Sequence, residues 1–175
     1  MATFSIPAGS SDAFRRIGNS AFVTDGNAAG VYNAAGRYDS TNNGYGSGLR
    51  FASVTIPAGA MITAATLSMK AYGSGSGANA KTRIRAQKAD NPGVFSTQGD
   101  FDARIFVSND PANGVDSAKV TTSVAWDTLG ASIANGTTLT SPDISAVLQE
   151  IIDRPGWSSG NAIVLFWDDF DKRTT

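Results

Sequence analysis

The carboxylates Asp168, Asp169 and Asp171 crowd the run "WDDFDKRTT" at the end of the chain. Hard oxygen ligands at that spacing could hold a structural Ca²⁺, the one cofactor the sequence suggests. The run lacks the glycine-containing loop of an EF-hand, and Lys172 and Arg173 follow at once, which favours a solvated, salt-bridged turn. Asp100 and Asp102 are of the residue type that cleaves glycosidic bonds, yet no further catalytic group accompanies them. The chain contains no His and no Cys. That excludes His-based triads, thiolate nucleophiles, disulfides and ordinary zinc sites. The expectation is a protein that is not an enzyme.

Cations and aromatics offer binding chemistry instead. If the runs around Lys70–Tyr72 and Lys81–Arg85 pair as a hairpin, Lys70, Lys81, Arg83 and Arg85 gather on one face beside Tyr72. Such a patch would suit an anionic polysaccharide, an acidic protein partner or phosphates. Its affinity would fall with salt, and Arg83 and Arg85 could be reversed to Glu with the fold intact. The competing reading is an ordinary solvated sheet face. Trp157 and Trp167 are the candidates for stacking on a sugar ring. The place of Trp157 just after a helix stop favours packing, whereas Trp167, bordering the acids, is expected to be partly exposed.

These side chains need a scaffold, and the sequence indicates a β one. At 175 residues the chain is expected to fold as a single domain over 1–175, with a loop-rich part at 1–47. Nineteen Gly and many Thr and Val suit turns between short strands. Fourteen basic residues against fifteen acidic ones leave no field that would draw nucleic acid, and no apolar run is long enough to span a bilayer. "NAAGRYDSTNNGYGSG" reads as surface loop. In "TAATLSMKAY", Ala65, Leu67, Met69 and Ala71 share one face, and Thr66, Ser68, Lys70 and Tyr72 the other. Thr82, Ile84 and Ala86 alternate with Lys81, Arg83 and Arg85. The middle, around residues 90–116, reads as irregular, with a helical turn near Phe101.

One run departs from this pattern. "SPDISAVLQEIIDRPGW" predicts a short amphipathic helix at about 142–153, capped by Ser141 and stopped by Pro155-Gly156. Ile144, Val147, Leu148, Ile151 and Ile152 fall on its apolar face. The fold class is therefore all-β, an antiparallel β-sandwich with one helix sealing one end.

The runs "GLRFASVTIPAGAMITAATLSMKAYG", "TTSVAWD" and "SPDISAVLQEIIDRPGWSSGNAIVLFW" resemble the jelly-roll modules of the disaggregatase-related, DNRLRE-type group. The similarity covers roughly 48–167, so residues 48–175 form the family-like part. Such modules occur in phage virion proteins and in large secreted bacterial proteins. The resemblance implies binding or assembly without catalysis and carries no catalytic residue to this chain. An initial Met with no signal sequence favours a virion protein: a head decoration, fibre or tail-associated component that also contacts host glycans. Its partners would be other virion proteins or further copies of itself. The alternative is an extracellular, free-standing carbohydrate-binding module of a polysaccharide-degrading system.

"NAIVLFW" carries six apolar residues in a row after Asn161, with only eight residues following Trp167. That predicts an interior strand with no visible covering strand, completed by a neighbouring chain around residues 161–175.

Overall fold

A computed structural model describes residues 2–7, 11–18, 21–24, 33–37, 44–72, 77–127 and 129–174. Among them nine strands form two antiparallel sheets: β1 (Asp12–Arg16), β2 (Ala21–Thr24), β3 (Gly36–Arg37), β4 (Gly44–Phe51), β5 (Ser68–Lys70), β6 (Thr82–Ala86), β7 (Val124–Trp126), β8 (Thr138–Thr140) and β9 (Ile163–Asp168). The large sheet runs β2-β1-β4-β9-β6-β7, with β3 also on β4, and β5 pairs with β8 in a separate ribbon. The chain is all-β in class, as its strand patterns indicate.

The apolar run after Asn161 organises everything else. Every residue of β9 is buried, because the sheet is covered on both faces. Ile163, Leu165 and Trp167 point into a core shared with Leu67 of the β5–β8 layer, Ile84, Trp126 and the helix residues Ile144, Val147 and Ile151. Val164 and Phe166 point into a second core with Phe95, Phe101, Ile105, Phe106 and Phe170. The expected open edge at this strand is absent. β4 pairs along one side of β9 (Leu49 opposite Leu165) and β6 along the other (Ile84 opposite Trp167). Its covering strands come from far earlier in the chain, so the reason for expecting a neighbouring chain at residues 161–175 falls away.

β4 begins inside the stretch read as surface loop, of which residues 38–43 lie outside the described residues. Glycine here serves close packing, not a turn. A Cβ on Gly48 would overlap the Phe95 ring, and one on Gly46 would overlap the Phe170 ring. The glycines let aromatic rings of the second core lie directly on the strand backbone.

Two helices are present where one was expected. The first, α1 (Gln98–Ile105), extends the helical turn expected near Phe101 to eight residues within the segment otherwise read as irregular. Thr97 Oγ1 accepts from the Asp100 backbone N–H at 3.1 Å, and Asp100 pairs with Arg104 one turn on. Phe101 and Ile105, four apart, bury the inner face. The second, α2 (Ser145–Ile152), starts later than Pro142. Ser141 does not cap it: its hydroxyl accepts from Leu67 N–H at 2.9 Å and donates to the Pro142 carbonyl. Asp143 holds the helix start, accepting from the Ser145 N–H and hydroxyl. Ile144, Val147, Ile151 and Ile152 are buried, while Leu148 is only partly so, at the margin of the face. No described helix is long and apolar enough to cross a membrane.

Candidate functional site

Two residues of the basic stripe, Arg83 and Arg85, form one network with Asp168 and Asp171 of the carboxylate cluster. On β6, Arg83 and Arg85 project to the face opposite Thr82, Ile84 and Ala86, so the alternation is as read. That face is not an outer one, because the second core covers it. Arg83 lies opposite Asp168 and Arg85 opposite Phe166 in the β6–β9 register. Arg85 therefore reaches Asp168 diagonally and holds it with two parallel bonds, Nε to Oδ2 at 3.0 Å and Nη2 to Oδ1 at 2.9 Å. The same Nη2 donates to Asp171 Oδ2 at 2.8 Å. Arg83 makes a close ion pair with that oxygen and donates from Nη1 to Ser123. Asp169 is buried and accepts from the Arg173 and Thr174 backbone N–H groups, while the Arg173 guanidinium grips Asp127.

Two sequence expectations are corrected by this geometry. The turn at residues 168–171 is salt-bridged as expected, but only Asp171 reaches solvent, while Asp168 and Asp169 are buried. Its carboxylates face guanidinium and backbone N–H donors, and among the described residues no group of three or more acidic side chains is arranged to hold a metal ion. Arg85, likewise, is buried and paired, so reversing it to Glu would set a second carboxylate against the buried Asp168, beside the exposed Asp171.

Burial dominates the electrostatics. It pushes the Asp168 carboxyl up to about 6, against the pull of Arg85 and of the Phe170 N–H. The same burial works against the Arg85 charge, but Asp168 and Asp171 outweigh it and hold that guanidinium protonated. At Asp100 burial again pushes upward, and the bonds from Arg104 and Ser96 overcome it, leaving the group below the usual carboxylate range.

The remaining candidates are dispersed. Lys70 and Tyr72 do not share a hairpin with Lys81–Arg85: β5 pairs with β8, and β6 with β7 and β9. Lys70 lies on the outer face of the ribbon with Thr66, Ser68 and Thr138, and Tyr72, 70% exposed, sits just beyond it. Lys81 is exposed beside Thr174, whose hydroxyl accepts from its backbone N–H. Trp157 is buried and donates from Nε1 to the Ile56 carbonyl at 3.1 Å, which pins the chain after α2. Trp167, expected to be partly exposed, is 7% exposed, donates to Thr82 Oγ1 and lies against the Trp126 ring. Neither indole offers a face to a sugar.

The comparisons with known proteins return no match: no family model, no curated protein and no solved structure.

Sequence reasoning missed Arg15. It is buried beneath α1 and grips Asp102 with Nε to Oδ1 at 2.9 Å and Nη2 to Oδ2 at 3.0 Å. Asp102 is thus an ion-pair partner, while Asp100, on another side of the helix, closes its N-terminus and binds Arg104. Only the β1–β4 and β4–β9 pairings bring Arg15 near this helix, and no local signal in the sequence announces that.

Proposed function

We propose that the chain is a non-enzymatic assembly and binding module, serving as a structural or accessory protein of a phage virion (head decoration, fibre or tail-associated). One observation carries the non-enzymatic part. Every Asp and Glu among the described residues accepts a hydrogen bond from a protein donor. Asp168 and Asp171 are held by Arg85, Asp90 by Arg154, Asp100 by Arg104, Asp102 by Arg15 and Asp127 by Arg173. Backbone or polar side-chain donors hold Asp12, Asp110, Asp116, Asp143, Asp153, Asp169 and Glu150. Carboxylates paired with guanidinium groups are poorly placed to take protons from a substrate, and the exposed ones that accept from a single donor, such as Asp110, lie beside no second catalytic group among the described residues. The virion placement rests on the jelly-roll resemblance, and a partner of that kind or a second copy remains the proposed assembly contact.

The free-standing carbohydrate-binding module is kept as a second reading because the ribbon presents an exposed polar face with Lys70 and an outlying tyrosine. Purified protein incubated with polysaccharide, ester and phosphoester substrates is expected to show no turnover. Turnover that disappears on a single Asp-to-Asn substitution would end the non-enzymatic reading. A virion component should be found, by antibody, in particles banded on a density gradient; its confinement to the soluble fraction would favour the second reading.

A further inference from the structure

A cleft of about 550 Å³ opens where the end of β1, α1, the turns after α1 and the C-terminal turn converge. That volume lies within the range of small-ligand sites, roughly 300–1,000 Å³. Its floor is the buried Arg15–Asp102 pair, whose two parallel bonds leave it neutral and fixed in place. The rim is exposed and carries donors and acceptors with capacity to spare. Asn109 Oδ1 accepts from Lys119, which leaves its Nδ2 to donate elsewhere. Asp110 Oδ1 accepts from the Ala112 N–H, leaving Oδ2 as an acceptor. Lys172 is exposed and forms no ion pair among the described residues. Ile17 and Pro111 add apolar surface.

The backbone at this rim is unusual. Asn109 and Lys172 have φ of 61° and 58°, and Ser108, next to Asn109, has 50°. Left-handed backbone is uncommon at residues other than glycine and asparagine and collects at ligand sites. Here it persists under restraint: the Asn109 N–H donates to the Phe106 carbonyl and the Lys172 N–H to the Asp169 carbonyl.

We infer that this cleft binds one saccharide unit through Asn109, Asp110 and Lys172. Two cations, Arg15 and Lys172, and two anions, Asp102 and Asp110, line it, so its net charge is zero and neither a strong anion nor a strong cation is favoured. Neighbouring hydroxyls on a sugar both donate and accept, which suits a lining that offers a carboxylate oxygen, an amide N–H and an ammonium. The C–H face of the ring would lie on Ile17 and Pro111. This inference rests on the reading of the chain as a binding module that contacts glycans and adds the site and the residues that would hold the sugar.

The test is a ¹⁵N–¹H NMR titration of the full chain with glucose, galactose, N-acetylglucosamine and glucuronate, with acetate and glycerol as controls. Saturable shifts at the amides of Gln98, Asn109, Ala112 and Lys172 are expected for at least one neutral sugar. Asp110→Asn keeps the oxygen that accepts from Ala112, so the fold is retained. It should weaken binding about tenfold or more, as should Lys172→Ala, since bonds to charged groups contribute about 1.5–3 kcal/mol. Lys70→Ala should leave affinity unchanged. Shifts confined to the β5–β8 ribbon, a response to acetate and glucuronate alone, or no saturable shift with any sugar would each overturn the assignment. Cleavage of an oligosaccharide added to the same sample would instead overturn the non-enzymatic reading and leave the cleft standing.

Discussion

At the scale of single residues, Asp168 is where burial and pairing compete. Its carboxyl is held above the unfolded value of 3.8, so between that value and about 6 the folded protein keeps a proton the unfolded chain has released. The group therefore favours folding at the acid end of this window, and its contribution is lost as pH rises through about 6. Asp100 and Asp143, both held below 3.8, act in the opposite sense and lose their contribution only as pH falls through their depressed values. Thermal melts of the wild type and Asp168→Asn between pH 4 and 7 should thus diverge progressively across the window. A constant difference would show that Arg85 keeps Asp168 ionised throughout. Gly48 poses a steric question at the same scale. Gly48→Ala forces the buried Phe95 ring to move and should cost about 1–3 kcal/mol in denaturant melts, whereas Gly93→Ala, with open space around it and no left-handed backbone, meets no such clash.

At the scale of elements, each helix is set by what it covers. α2 lies on the first core through Val147, Ile151 and Ile152, with Leu148 at its edge. Ile151→Asp would bury an unpaired charge and should cost about 4 kcal/mol or more. Leu148→Asp can turn its carboxylate toward water and should cost clearly less; equal losses in urea melts would contradict the assigned face. α1 covers the second core, where Phe101 lies edge-on to Phe166 and Phe170 with ring centroids 5.4 and 6.2 Å apart. Phe101→Ala should lower stability by about 3–5 kcal/mol, read from the shift in urea midpoint.

At the scale of the whole molecule, the large sheet lies between two cores, and the β5–β8 ribbon packs on the first of them through Met69 and Leu139. β9 takes part in both cores and pairs on both sides, while β5 and β8 are three residues each with one exposed face. Stability should be graded accordingly. In native-state hydrogen exchange, the amides of Val164–Phe166 should open only with global unfolding and those of Met69 and Leu139 by smaller, local openings. Uniform protection would mean that the ribbon and the sheet form one cooperative unit.

What the sequence determined by itself was local. Alternation placed Leu67 inward and Ser68 outward, and Ile84 inward from Arg83. The apolar spacing after Ser141 located α2, and the unbroken run after Asn161 marked a strand buried on both faces. Those properties follow from side-chain periodicity, which a short window contains. Tertiary structure decided what covers each face. A second core behind the sheet turned the Arg83–Arg85 stripe inward and supplied it with the C-terminal carboxylates, because burying a guanidinium requires a partner and the β6–β9 register provides one. The same layer made a short helix of residues 98–105, whose two apolar contacts gain their value only from rings distant in sequence. Non-local strand pairing likewise put β4 and β6 beside β9 and closed an edge that sequence order left open. It also joined Arg15 to Asp102 across 87 positions of chain, forming the floor of the cleft.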